Sequence, residues 1–330
     1  MSRVMHRPLV LLAAILLPLA VVPGWSGEER SARLRASGAM TARRVPIDPH
    51  DAGRRRVGSL TYLGGVVLDG DHRAFGGFSA LHVDGNRFTL LSDGGNLVRF
   101  RMGGDWRPRR VVFSFVPAGP RTGWEKRDRD AESLARDPVT ARWWVGFENV
   151  NQIWRYAPDW TRAEAVAAPA AMRRWRRDGG PESLARLADG RFVAIAESPR
   201  RGERMRDGIV WPGDPTTRRP AFRFAYVASP GFSPSDMTAL PNGGLLVLER
   251  ALSLPFRWSA RLVLVDPAAL RPAAVVSGRT IAQLAPPLLA DNYEGLAAVR
   301  EGRDTILWLL SDDNQLFLER TLLLKFRLET

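Results

Sequence analysis

The chain contains no cysteine. Disulfides, thiolate nucleophiles and cysteine-ligated metals are excluded with it. Histidine is almost as scarce, with four in 330 residues. Beyond His6 only His50, His72 and His82 remain, so a Ser-His-acid triad has few bases to choose from. A Gly-x-Ser-x-Gly nucleophile elbow is missing: Gly77-Phe78-Ser79-Ala80-Leu81 and Gly231-Phe232-Ser233-Pro234-Ser235 each lack the last glycine. There is no Arg-His-Gly phosphatase motif, no histidine pair at zinc-ligand spacing and no Gly-Lys phosphate loop. Helical periodicity is weak throughout, and only one long apolar run occurs, near the N-terminus.

What is there has the composition of a globular protein. The chain is 45% hydrophobic, and its mean hydropathy is -0.18. Its net charge is +13. Such a charge first suggests nucleic acid, but all the basic residues except Lys126 and Lys325 are arginine. That bias is spread along a chain rich in Ala, Gly and Pro, with no basic motif interleaved with aromatics. It reads as compositional. A monomer that attracts a small anionic ligand, such as a phosphate ester, and binds no nucleic acid is the expectation.

Arg3, His6 and Arg7 precede an apolar stretch from Leu9 to Val22, and Pro23-Gly24-Trp25-Ser26-Gly27 follow. This is the pattern of a secretory signal peptide over residues 1–26. An uncleaved membrane anchor is the rival, although the run is short against the ~20 residues of a spanning helix. Either places the remainder in the periplasm or outside the cell, with membrane contact only through an uncleaved segment. Residues 27–55, polar and arginine-rich, read as a linker, and residues 56–330 as one domain.

Within that domain five segments of about fifty residues share one order. They begin at Gly77-Phe78-Ser79-Ala80-Leu81, Asp130-Ala131-Glu132-Ser133-Leu134, Gly180-Pro181-Glu182-Ser183-Leu184, Asp236-Met237-Thr238-Ala239-Leu240 and Asn292-Tyr293-Glu294-Gly295-Leu296. Each opening strand is followed by a polar turn, such as Asp84-Gly85-Asn86 or Asp189-Gly190. An apolar strand ending in an acid comes next. A third strand closes each unit: Leu97–Phe100, Ile153–Tyr156, Phe222–Tyr226, Leu262–Val265 and Leu322–Leu328. Short strands in a repeating unit predict an all-β propeller with blades of about four antiparallel strands. The spare strand-like segment Arg56–Leu68 favours six blades, with five as the alternative.

Two columns of the repeat carry chemistry. The first holds Ser79, Glu132, Glu182, Thr238 and Glu294; the second holds Asp93, Glu148, Glu197, Glu249 and Asp312. A propeller gathers equivalent residues around one axis, so these carboxylates converge on one mouth of the channel. Carboxylates that converge repel, and the arrangement calls for a cation, for arginines or for raised pKa values. Ca²⁺, a hard ion with oxygen ligands, is the first candidate. The expected ligands are Asp93, Glu132, Glu148, Glu182, Glu197, Glu249, Glu294 and Asp312, with Asn96, Asn149, Asn151 and Asn314 as neutral oxygens nearby. The same acids would also serve as turn caps or as partners of the arginines. Trp143, Trp144, Trp154 and Trp308 read as packing between blades, and His82 as structural.

Glu132-Ser133-Leu134-Ala135, Pro181-Glu182-Ser183-Leu184-Ala185, Phe75-Gly76-Gly77-Phe78-Ser79 with Leu91-Ser92-Asp93, and Tyr293-Glu294-Gly295-Leu296 with Leu310-Ser311-Asp312-Asp313-Asn314 resemble the phytase-like family, described as "esterase-like activity of phytase". The likeness covers about Arg56 to Leu328. It implies a propeller fold, export and a Ca²⁺-dependent hydrolase of phosphoester-type substrates. A non-catalytic propeller that binds a ligand or protein of the cell envelope remains open beside it, as does a lactonase-like propeller with a metal in the channel.

Overall fold

The computed structural model of the chain describes residues 33–34, 38–72, 74–121, 126–199, 205–255, 257–315 and 319–329. Residues 1–26, read above as a signal segment, lie outside them. Among the described residues no helix is long and apolar enough to cross a membrane. Helical structure is confined there to Lys126–Arg129 and two 3-10 turns.

Five sheets follow one another along the chain, antiparallel except for the short parallel strand Val275–Val276 at the outer edge of the third, and each is a blade. The first is built from Phe78–Asp84, Arg87–Ser92, Asn96–Arg101 and Arg109–Phe115. The second is built from Ala131–Arg136, Trp143–Phe147, Gln152–Tyr156 and Ala163–Ala167. The third holds Ser183–Arg186, Phe192–Ile195, Met205–Trp211 and Phe222–Val227. The fourth holds Ser233–Ala239, Leu245–Ser253, Arg257–Val265 and Arg279–Leu284. The fifth takes Tyr293–Glu301, Asp304–Ser311 and Leu322–Leu328 from the C-terminal end and Leu60–Gly70 from the N-terminal end. The first strand of each blade is innermost, and the five inner strands line a central channel of about 270 Å³.

The blade number is therefore five and not six. Leu60–Gly70 does complete the last blade, pairing antiparallel with Leu322–Leu328, and every strand among the described residues belongs to one of the five sheets. Phe222–Val227 is the fourth strand of its blade and not the third; Met205–Trp211 lies between. The stretch 27–55, expected to be a linker, includes the strand Met40–Arg44, which pairs with Leu60–Gly70 on the outer edge of the fifth blade. Its exposed arginines hid a strand with few residues turned inward.

Each pair of neighbouring blades encloses its own apolar core. Leu91, Leu97, Val145 and Trp143 fill the space between the first two, and Trp144, Leu184, Phe192 and Trp211 the next. Val193, Ile195, Leu245 and Val247 pack between the third and fourth. Leu246, Leu248, Leu307 and Leu309 join the fourth to the fifth; Phe88, Leu90, Trp308 and Leu310 close the ring. Alternation along each second strand does this, because successive side chains face opposite neighbours. Trp143, Trp144 and Trp308 are buried, as expected, while Trp154 is only half-buried and binds Gln152 through its indole N–H.

The seam between chain ends rests on Leu322–Leu328 against Leu60–Gly70, where Leu324 pairs with Gly65 and is fully buried. Leu324→Ala removes buried volume at a place that backbone hydrogen bonds keep from collapsing. It is expected to cost about 2–5 kcal/mol in urea unfolding, against less than about 0.5 kcal/mol for exposed Val139→Ala. Equal effects of the two would mean that the seam is not packed as described.

Candidate functional site: an acidic mouth

The inner strands meet their partners through a shared irregularity. In the first, second, fourth and fifth blades the pairing shifts by one residue near the start of the inner strand, at Ser79, Glu132, Ser235 and Glu294. Such a bulge re-aims the side chain it carries. Glu182 holds the matching place in the third blade, one residue before Ser183 pairs with Ile195. The first column is thus Ser79, Glu132, Glu182, Ser235 and Glu294. Thr238 lies three residues further on and lines the channel instead.

The second column shifts as well. The register pairs Ser233 with Arg250. The corresponding backbone bonds elsewhere run from Asp93 to Gly77, Glu148 to Asp130, Glu197 to Gly180 and Asp312 to Asn292, each N–H donating to the carbonyl, at 2.8–3.2 Å. Ser233 is to Ser235 what Gly77 is to Ser79. The column therefore reads Asp93, Glu148, Glu197, Arg250 and Asp312. Glu249, placed there from sequence, faces the other way. It is fully buried and accepts the Tyr226 hydroxyl at 2.7 Å and the Ser229 N–H at 3.2 Å. A slip of one residue exchanges the two faces of a strand, and here it exchanges an acid for a base.

Arg250 fills the space between three blades. Its guanidinium donates to the Asn292 side chain at 2.6 Å and to Glu197 at 3.2 Å, and it also pairs with Glu294. Burial would weaken its proton; Glu294, Glu182 and Glu197 outweigh that and hold it firmly protonated. Asn292 in turn donates to Glu294 at 2.7 Å, and Asp291 accepts the Asn292 N–H at 3.0 Å.

On the other side carboxylates face one another. Glu148, Glu182 and Glu197 each bring an oxygen within 4.8 Å of the others, as do Asp130, Glu132 and Glu148. Glu148 accepts the Gly180 N–H at 3.2 Å and shares a side-chain hydrogen bond with Asp130. Burial, and after it repulsion from Glu132, pushes its carboxyl up to about 7. Glu182 is 5% exposed, and among the described residues no donor reaches its carboxylate. Burial and the charges of Glu132 and Glu197 hold it well above the usual carboxylate range. Asp312, 4% exposed, is raised by burial, Glu294 and Asp93.

These groups suit a hard cation. Two oxygens bound to one ion at 2.3–2.6 Å can lie no more than about 5 Å apart, and both trios meet that limit. Sulfur and imidazole ligands are absent from the cluster. Of the four asparagines, Asn96 uses its oxygen to accept the Leu34 N–H, whereas Asn149, Asn151 and Asn314 donate through nitrogen, to Asp130, the Trp175 carbonyl and Glu319. His82 sits on the channel wall away from the acids, edge-on to Trp143 at 5.0 Å. Burial, with Arg136 nearby, lowers it to about 4, which fits its structural reading.

Arg250, Asn292, Asp130 and Ser235 are the residues that the two columns left out. One signal would have found Ser235 and Arg250. Pro181 and Pro234 precede Glu182 and Ser235 by one position, so aligning the prolines sets the fourth unit in register.

A family model described as "Phytase-like: Esterase-like activity of phytase" matches residues 73–315. None of the curated proteins matches the chain. Similar solved structures include the luciferin-regenerating enzyme, at 12% identity and a TM-score of 0.46, covering 89% of this chain and 98% of that one. An alpha-L-arabinofuranosidase from Podospora anserina has 13% identity and a TM-score of 0.47 over 87% and 96%. Glutaminyl cyclase from Myxococcus xanthus has 12% and 0.43 over 77% and 91%. These likenesses bear on neither substrate nor mechanism.

Asp291 supports the mouth from outside and gives it a pH dependence. Burial pushes its carboxyl up to about 6, against the pull of the Asn292 N–H and Arg320. A folded pKa above the unfolded one means that the native state binds the proton more tightly. The stability this adds is complete below about pH 3.8 and drains away as the pH rises through about 6. In calcium-free buffer Asp291→Asn should flatten that fall in unfolding free energy, by at most about 3 kcal/mol. A slope between about pH 4 and 6 unchanged by Asp291→Asn would assign the titration to another group.

Proposed function

The chain belongs to the phytase-like family, and from that premise we propose that it is an exported, divalent-cation-dependent hydrolase of phosphoester-type substrates, with the acidic mouth as its site and Ca²⁺ as the ion. The observation that carries this reading is the trio Glu148, Glu182 and Glu197, buried or half-buried carboxylates with oxygens within 4.8 Å of one another. Exclusion from water makes such a cluster costly unless positive charge joins it.

Glu148, Glu182 and Glu197 would hold the cation. When bound, it supplies charge neutralisation and polarisation to a phosphoryl oxygen. Glu132, whose oxygen lies within 4.8 Å of Glu148, would orient and deprotonate the attacking water. No histidine or nucleophile elbow stands at this mouth, so direct attack by water is the route the residues favour over a covalent intermediate. The net charge of +13 favours approach of an anionic substrate. The apolar stretch Leu9–Val22 motivates export, to the periplasm or beyond.

Purified protein should hydrolyse phytate or a chromogenic phosphomonoester with Ca²⁺ and lose that activity in chelator. Glu132→Gln should lower kcat by about 10²–10⁴-fold with Ca²⁺ affinity kept. Glu182→Gln should weaken the ion itself and shrink the Tm rise that Ca²⁺ gives by linkage. Hydrolysis that survives chelation would refute the cation's role. A Ca²⁺-stabilised protein inert toward phosphoesters and lactones alike would favour the binding-propeller reading.

A further inference from the structure

In four of the five units an acid stands just past the second strand at the mouth, and in the fourth, whose strand runs on to Ser253, Arg250 holds that position. This is a substitution within a repeat and not a surface arginine that has folded inward: its backbone is placed by the same register that places Asp93, Glu148, Glu197 and Asp312. Its side chain is spent on the site. It pairs with Glu197 from the third blade and Glu294 from the fifth, and it binds Asn292 beside Glu294. The carboxylates around the axis thereby divide. Glu294 has a guanidinium against it. Glu182, nine-tenths buried and with no donor on its carboxylate among the described residues, has none. Glu197 is shared, touching Arg250 on one side and the trio with Glu148 and Glu182 on the other.

We propose that Arg250 is a tethered counter-ion that occupies, between the third and fifth blades, a place where a repeat with a fifth acid would hold a second metal ion. One divalent-ion position is left, at Glu148, Glu182 and Glu197, and Glu197 couples the two. The inference rests on the metal-dependent reading above and adds to it a stoichiometry and a residue that sets it. A covalently attached cation cannot be chelated or diluted away, so the Glu294 side of the mouth stays neutralised in every ionic condition. The Glu182 side is the part that responds to metal. Lysine keeps the charge of Arg250 but not its fork of donors, glutamine keeps neither, and glutamate restores the acid of the other four units.

The test is Ca²⁺ binding by calorimetry, and metal content after dialysis, on the full chain and on Arg250→Glu, Arg250→Gln and Arg250→Lys, together with Tm in chelator and in excess Ca²⁺. Wild type should bind one Ca²⁺ per chain and Arg250→Glu two. In chelator Arg250→Gln should melt several degrees below wild type and gain more from Ca²⁺ than wild type gains; Arg250→Lys should stay near wild type in both. If Arg250→Glu does not fold, the contrast between glutamine and lysine decides. Two ions in wild type, one ion in folded Arg250→Glu, or matching Ca²⁺ responses of the glutamine and lysine variants would overturn the inference. A wild type that binds no Ca²⁺, while folded Arg250→Glu binds one, would overturn the metal-dependent reading and leave Arg250 as the sole cation of the mouth.

Discussion

Closing five blades on one axis forces like charges together, and the mouth is shaped by that repulsion. The inner hairpins bring Glu132, Glu148, Glu182, Glu197, Glu294, Asp93 and Asp312 toward one end of a narrow channel. At close range and in low dielectric, each added carboxylate raises the cost of ionising the others. Every resolved shift among these acids is upward, with burial the largest cause; neighbouring acids come next at Glu148, Glu182 and Asp312, whereas at Glu294 Arg250 and Asn292 pull against it. The protein answers the strain in two ways. It places a guanidinium against Glu197 and Glu294, and it leaves the Glu182 side able to keep protons or accept a cation.

Such a cluster persists because the surrounding fold does not let it relax. Five separate apolar cores lie between the blades, each built from fully buried Leu, Val, Trp or Phe side chains. Polar ties then bridge the inner strands at the level of the acids. The Ser133 hydroxyl donates to the Pro181 carbonyl of the next blade, and the Ser235 hydroxyl to Tyr293 at 3.0 Å. Asp236 accepts the Leu296 N–H at 2.7 Å, joining the fourth inner strand to the fifth. Spreading the mouth would break these bonds and open the cores together. Local electrostatic strain at a site is held in place by packing elsewhere.

Much of this was legible in the sequence, and the failures share a physical cause. A repeat fixes which residues are equivalent, and a propeller converts equivalence into proximity; the converging acids followed from those facts alone. Blade number did not follow, because a spare strand at the N-terminus reads the same whether it completes the fifth blade or begins another. The strand Met40–Arg44 was invisible because an edge strand with arginines outward carries little apolar alternation. Arg250 was missed because the fourth unit was aligned on Asp236-Met237-Thr238, three residues past the segment Ser233-Pro234-Ser235 that matches the other openings. Glu249 then offered an acid at the neighbouring position to complete a column that the structure breaks.

The broken positions carry more information than the kept ones. Around the ring the first column runs Ser79, Glu132, Glu182, Ser235, Glu294, so the two serines separate the adjacent acids of the second and third blades from the lone acid of the fifth. The second column is broken once, at Arg250, and on the lone acid's side. A ring with fivefold symmetry would spread its charge evenly and offer a cation only the axis. This ring crowds its carboxylates where the second and third blades meet, and it places its own positive charge between Glu197 and Glu294, at one side of that crowd. Polarity across the mouth is what a small anionic ligand needs in order to bind in one orientation, and a symmetric assembly of blades acquires it here from three substitutions: Ser79, Ser235 and Arg250.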